Sequence, residues 1–195
     1  TGAPTSTTIV LSWPTVSGAT RYDVERNGVV VVSPTGASTT LSGLQPDQDY
    51  TIRVRAKNTG GNGDWSDSLV VKTQLATPVV TKAAAETEIT LSWAAVAGAT
   101  AYEVEADGVV VTVTGTGYTH TGLNPGTAHT YKVRAKSDTN VSVWSAVVNA
   151  NTVPSKPGVI TGTATSNRLV LSWPVVPGAT KYDVERNGTI VTSPT

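Results

Sequence analysis

The 195-residue chain contains no cysteine, no methionine and no phenylalanine. Without cysteine there is no disulfide framework and no thiolate metal site. A predominant charge is missing too: 14 basic side chains face 14 acidic ones, and the net charge is zero. That balance argues against a nucleic-acid binder or a polybasic membrane segment. It also leaves little long-range repulsion between neighbouring copies. No apolar run approaches the length of a membrane span. No signal peptide is visible, and because the first residue is Thr1, a processed or truncated N-terminus is expected.

What the chain has in quantity is Thr, Val, Gly, Ser and Ala, and Thr and Val favour pleated strands. It also repeats itself. Leu11-Ser12-Trp13, Gly18-Ala19-Thr20 and Tyr22 recur from Leu91 to Tyr102 and from Leu171 to Tyr182, at a spacing of 80 residues. That period suits a compact β-domain better than a small solenoid repeat. The expected divisions are residues 1–74, 75–153 and 154–195. The first lacks most of its first strand, and the third is the N-terminal half of a domain. A unit this small buries only about 60–65% of its unfolded surface, so packing alone must hold it.

Within each unit the signals are short strands between turns. Ile9–Trp13, Ile89–Trp93 and Leu169–Trp173 read as buried strands. Between Thr20 and Glu25, Tyr22 and Val24 face one way, and Arg21, Asp23 and Glu25 the other. Asn27-Gly28, Asp107-Gly108 and Asn187-Gly188 mark hairpins, because both residues of such a turn need positive φ. Thr51–Lys57 alternates again, with Ile52, Val54 and Ala56 inward and Arg53, Arg55 and Lys57 outward. No helical period is present. The fold class expected is all-β: antiparallel two-sheet sandwiches in tandem, two complete and one partial. The junctions Gln74–Pro78 and Val153–Pro157 are short and contain proline, which makes them semi-rigid.

The chain resembles tandem fibronectin type III domains of the bacterial secreted or cell-surface type. The residues that carry the likeness are Trp13, Trp93 and Trp173, the strand around Tyr22 and Val24, and the corner formed by Leu44, Pro46 and Tyr50. Trp65-Ser66, Trp144-Ser145 and the Arg-rich strand also fit. The resemblance implies an immunoglobulin-like sandwich and an extracellular, secreted or cell-surface location on a microbe. There such domains serve as spacers beside glycoside hydrolases or as stalks of adhesins and filaments. His129 stands where the corner tyrosine of unit two would be, so the corner hydrogen bond is expected to be missing there.

No catalytic constellation, cofactor site or metal site is expected. His120 and His129 are the only histidines and lie in one repeat, so a function common to the repeats cannot rest on them. The carboxylates Asp23, Glu25, Glu103 and Glu105 are read as cross-strand ion pairs with Arg53, Arg55, Lys132 and Arg134 on an exposed face. Such exposed pairs contribute about 0–1 kcal/mol each. Trp65 and Trp144 are candidate glycan or partner contacts, set against a role as cation–π lids over the outer arginines. Trp13, Trp93 and Trp173 are assigned to the core. Asn140 and Asn187 begin formal glycosylation motifs, and Asn187 already has a turn role.

The runs Val29–Val32 and Val109–Val113 occupy edge strands with both faces apolar. This makes Val30, Val32, Val110 and Thr112 candidate self-association positions. The phase of the repeat at the two ends predicts a longer array, or completion of the third unit by a strand of another chain. The function expected first is a non-enzymatic extracellular structural protein: a tandem-repeat stalk, fibre or surface-layer component that acts by spacing and self-association. The alternative is a spacer region of a secreted polysaccharide-degrading enzyme with glycan contact, and the third reading is a protein-recognition or adhesin ectodomain. Partners expected are neighbouring repeats or copies, a glycan or a surface protein, with no nucleic acid and no membrane span.

Overall fold

The structure is a computed structural model that describes residues 2–194; the expected outer boundaries at residues 1 and 195 lie outside them. Among these residues there is no helix. In the first repeat the strands are β1 (Gly2–Pro4), β2 (Ile9–Ser12), β3 (Arg21–Arg26), β4 (Val29–Val32), β5 (Ser38–Leu41), β6 (Asp49–Asn58), β7 (Gly61–Asn62) and β8 (Leu69–Lys72). The second repeat contains β9 (Val80–Ala84), β10 (Glu88–Trp93), β11 (Ala101–Ala106), β12 (Val109–Val113), β13 (Gly117–Thr121), β14 (Ala128–Lys136) and β15 (Val148–Asn151). The third contributes β16 (Thr161–Ala164), β17 (Leu169–Ser172), β18 (Val184–Arg186) and β19 (Thr189–Thr192).

Every sheet draws its strands from one repeat. The first repeat pairs β1-β2-β5 in one sheet and β4-β3-β6 in the other, with β7 and β8 both on β6. The second repeats the plan as β9-β10-β13 and β12-β11-β14-β15. The pairings within β1-β2-β5, β4-β3-β6 with β7 and β8, β9-β10-β13, β14-β15, β16-β17 and β18-β19 run antiparallel. The chain divides into two compact units. One holds the residues through Pro78 with Ala94–Glu103 and Val133–Ser145; the other holds Val79–Trp93, Val104–Lys132 and the residues from Ala146 onward.

The repeated motif has a local physical cause. Gly18 takes φ +76, which a side chain would strain, and the turn closes with the Ala19 N–H on the Val16 carbonyl at 3.1 Å. The Tyr22 hydroxyl then accepts the Val16 N–H at 2.9 Å, pinning the loop to β3. Tyr102 and Tyr182 do the same for Val96 and Val176 at 2.8 Å. The Asn-Gly and Asp-Gly hairpins form as expected: Asn27, Asp107 and Asn187 have φ of 50, 48 and 52.

Alternation along β2, β3 and β6 drives Ile9, Leu11, Val24, Tyr50 and Ile52 into one core with Leu41, Leu44 and Val71. Trp13 packs against that core while remaining half-buried, Trp93 is buried, and Trp173 is half-buried. At Tyr50 the expected corner is present: its hydroxyl accepts the Gln45 N–H at 2.9 Å. In the third repeat, β16-β17 and β18-β19 form two separate ribbons. Leu171 is 38% exposed there, whereas its counterpart Leu11 is 3% exposed beneath the strands of the opposite sheet.

Candidate functional site

The most heavily organised polar surface of the first repeat lies on β3 and β6. Their register sets Glu25 opposite Arg53 and Asp23 opposite Arg55. Arg53 holds Glu25 with both Nε and Nη2, at 2.7–2.9 Å. Arg55 reaches Asp23 Oδ2 at 2.8 Å, Lys57 joins it at 3.2 Å, and Ser33 Oγ donates to Oδ1 at 2.7 Å. The second repeat places Arg134 Nε 2.7 Å and Lys136 Nζ 3.0 Å from Glu103, and Lys132 2.9 Å from Glu105. The ion pairing expected from the sequence is therefore present. Its setting is different, because Asp23, Glu25 and Glu103 are buried.

The indoles account for part of that burial. The Trp65 ring lies under the Arg55 guanidinium at 4.4 Å and under Arg53 at 5.4 Å; Trp144 does the same for Arg134 at 4.5 Å. The loop carrying each tryptophan is fixed by Ser66 Oγ on the Val54 N–H, and by Ser145 Oγ on the Val133 N–H. Each Trp-Ser pair thus covers a row of ion pairs, as a cation–π lid would. Burial raises the Asp23 carboxyl, but bonds from Ser33, Arg55 and Lys57 outweigh it, and the net shift is below the usual aspartate value. Glu103 is likewise lowered, by Lys136 and Arg134 against the opposing effect of burial.

A second constellation is one that sequence reasoning missed. Asp107 stands in the turn after β11, His120 on β13 and His129 on β14, and one ligand atom from each lies within 4.8 Å of the others. His129 Nδ1 is 2.6 Å from Asp107 Oδ2, and its Nε2 is 2.8 Å from Thr127 Oγ1. His120 Nδ1 is 3.1 Å from the hydroxyl of buried Tyr131. The two imidazoles meet edge to face at 5.7 Å. Burial opposes ionisation of Asp107, yet His129 and the Thr130 N–H bring its carboxyl below the ordinary value. Burial, with Asp107 and Tyr118 nearby, pushes the Tyr131 phenol up to about 12. His129 thus forms no tyrosine-type corner and instead ties the corner loop to the hairpin turn. The signal available was a comparison between repeats, in which histidines replace an aliphatic and an aromatic residue.

The remaining candidates are surface features. β4 and β12 are edge strands, as expected. Val30 and Val110 are exposed, Val32 is half-buried and Thr112 is exposed. Neither face of these strands is fully covered within the chain. Asn140 Nδ2 donates to Asp47 Oδ1 at 2.9 Å and to the Thr73 carbonyl at 2.8 Å within the first compact unit, which engages the nitrogen a glycan would need. Among the described residues no helix is long and apolar enough to cross a membrane.

Antiparallel two-sheet sandwiches with ion-pair rows under tryptophan lids place the chain in the class of immunoglobulin-like β-sandwich modules. Residues 1–72 match the model of the fibronectin type III domain. A segment of two fibronectin type III domains from chicken tenascin has the same fold, with TM-score 0.52 and 23% identity over 77% of this chain and 95% of that one. The first repeat belongs to the fibronectin type III family, and the chain has the fold of such domains in tandem. It is 38% identical over 184 residues to Endoglucanase B of Cellulomonas fimi, a match covering 78% of this chain and 17% of the relative. Chitinase A1 of Niallia circulans is 32% identical over 177 residues, covering 80% of this chain and 25% of the relative. The chain therefore spans a quarter or less of these relatives' length.

Proposed function

We propose that these domains form an accessory spacer of a secreted enzyme that degrades an insoluble polysaccharide such as cellulose or chitin. The observation that carries the reading is the similarity, over more than three quarters of the chain, to an endoglucanase and a chitinase. Two features of the molecule support it. The carboxylates of β3 and β11 are committed to ion pairs, which leaves them unsuited to general acid–base work. The proline-containing junctions suit a spacer that must hold a catalytic domain at a distance from its substrate. An extracellular location follows from the same reading.

The test uses the parent protein. Replacing these domains with a Gly/Ser linker of equal residue count is expected to lower hydrolysis of insoluble chitin or cellulose severalfold. Turnover of a soluble oligosaccharide should stay unchanged. A parent protein with no glycoside hydrolase activity, or one equally active on solid substrate after the exchange, would overturn the reading.

The exposed edge valines favour a second reading, in which the domains self-associate through β4 and β12 as part of a stalk or fibre. The occupant would be the same edge of another copy, whose backbone groups complete the ladder.

A further inference from the structure

One end of the second sandwich departs from the first in a concerted way. In the repeat register, Asp107 corresponds to Asn27 at a spacing of 80, and from Leu123 and Leu44, at a spacing of 79, His120 corresponds to Leu41, His129 to Tyr50 and Tyr131 to Ile52. In the first repeat Leu41, Tyr50 and Ile52 are buried core, and Asn27 Oδ1 accepts the Thr51 N–H at 2.9 Å. The second repeat keeps the hairpin bond, with Asp107 Oδ1 on the Thr130 N–H at 2.8 Å, and gains a charged Oδ2 beside it. Two imidazoles have thus replaced a leucine and a tyrosine of the first repeat's core, and a carboxylate has replaced its turn asparagine. Polar groups at core positions cost stability relative to apolar ones unless they are partnered, so packing does not account for the two histidines, and the turn geometry that Asn27 already supplies does not account for the added charge of Asp107.

We propose that Asp107, His120 and His129 form a binding site for one divalent transition-metal ion of the Zn2+, Ni2+ or Cu2+ type. Their donor atoms already lie within 4.8 Å of one another. Two imidazole nitrogens and one carboxylate oxygen suit these metals, whereas Ca2+ and Mg2+ prefer all-oxygen sites. An ion sits about 2.0–2.2 Å from such donors. On binding, it replaces the hydrogen bond between His129 Nδ1 and Asp107 Oδ2. The outer partners that a metal site needs are in place. His129 Nε2–H then donates to Thr127 Oγ1, which itself donates to the Asn124 carbonyl at 2.6 Å. The Tyr131 hydroxyl occupies His120 Nδ1, which assigns His120 Nε2 to the metal. Asp107 is exposed and both histidines are half-buried, so the fourth position opens to solvent or to a donor from a bound partner.

The full chain, stripped with a chelator, is titrated with Zn2+ by calorimetry and with Co2+ by visible absorption. Binding of one Zn2+ per chain, a Co2+ ligand-field band and a rise in Tm with added Zn2+ are expected. Asp107→Asn, His120→Leu and His129→Tyr each restore the residue that the first repeat accommodates at that place. Each removes a donor to the ion and is expected to weaken Zn2+ binding by more than the about 10- to 100-fold lost when only an outer partner is removed, and the triple variant to abolish it. Proton NMR of the unmodified chain supplies a measurement free of folding effects: Zn2+ should shift the ring resonances of both histidines and of Tyr131. No binding by the unmodified chain, equal binding by the triple variant, or unmoved histidine resonances would each overturn the proposal.

Discussion

Asp23 shows how a single side chain is positioned by partners distant in sequence. Alternation along β3 puts it on the outer face, and Arg55, Lys57 and Ser33 then close around it. Its folded pKa is lowered, so its contribution is present above the unfolded value and lost as pH falls through the folded one. Urea midpoints measured from pH 6 to pH 2 should drop for the native chain, and Asp23→Asn should flatten that drop. An unchanged slope in the variant would remove Asp23 from the account. Tyr131 has the opposite sign of shift, up to about 12, so its contribution is present below pH 10 and lost between its unfolded and folded values. Spectrophotometric titration should show one of the six tyrosines ionising last.

At the scale of elements, hairpins and lids are the parts most open to test. Gly28 has φ +85 in the β3–β4 turn. Gly28→Ala is therefore expected to cost about 1 kcal/mol or more in chemical denaturation, because the added methyl disfavours that conformation. Trp65→Ala removes a ring stacked on two arginines and opens the Asp23 and Glu25 pairs to water. An exposed cation–π contact is worth about 0.5–1 kcal/mol. A stability loss of about 1–2 kcal/mol is therefore expected, allowing for two such contacts, with faster hydrogen exchange along β6. Should binding to insoluble polysaccharide vanish in Trp65→Ala while stability is unchanged, the indole would be a ligand contact and not a lid.

For the molecule as a whole, the proposed self-association rests on zero net charge and exposed valine edges. Sedimentation velocity near neutral pH should show concentration-dependent association, and Val30→Lys with Val110→Lys should reduce it. Lysine at an edge strand blocks strand addition while leaving the buried face of the sheet intact. A lysine double variant that associates like the native chain would rule out these strands as the contact. Association that persists at pH values far from neutrality would point away from charge balance as the permissive factor.

The sequence by itself determined the strands, the hairpins and the family, because these depend on local rules. A two-residue alternation buries Tyr50 and Ile52 and exposes Asp49 and Thr51, and Asn27-Gly28 and Asn187-Gly188 adopt positive φ between their strands. The partnership of Asp23 and Glu25 with Arg53 and Arg55 was legible for the same reason, since charges of opposite sign alternate in step on both strands. Their burial was decided only by the tertiary structure, which folds the Trp65 loop back across the row. The cluster of Asp107, His120 and His129 belongs wholly to that level. Its members lie on a turn and on strands of two different sheets, and only closure of the sandwich brings their donor atoms within 4.8 Å. Local periodicity reports which face of a strand is apolar. It carries no information about which strands meet at the end of a sandwich, because that depends on sheet order and register across the whole repeat.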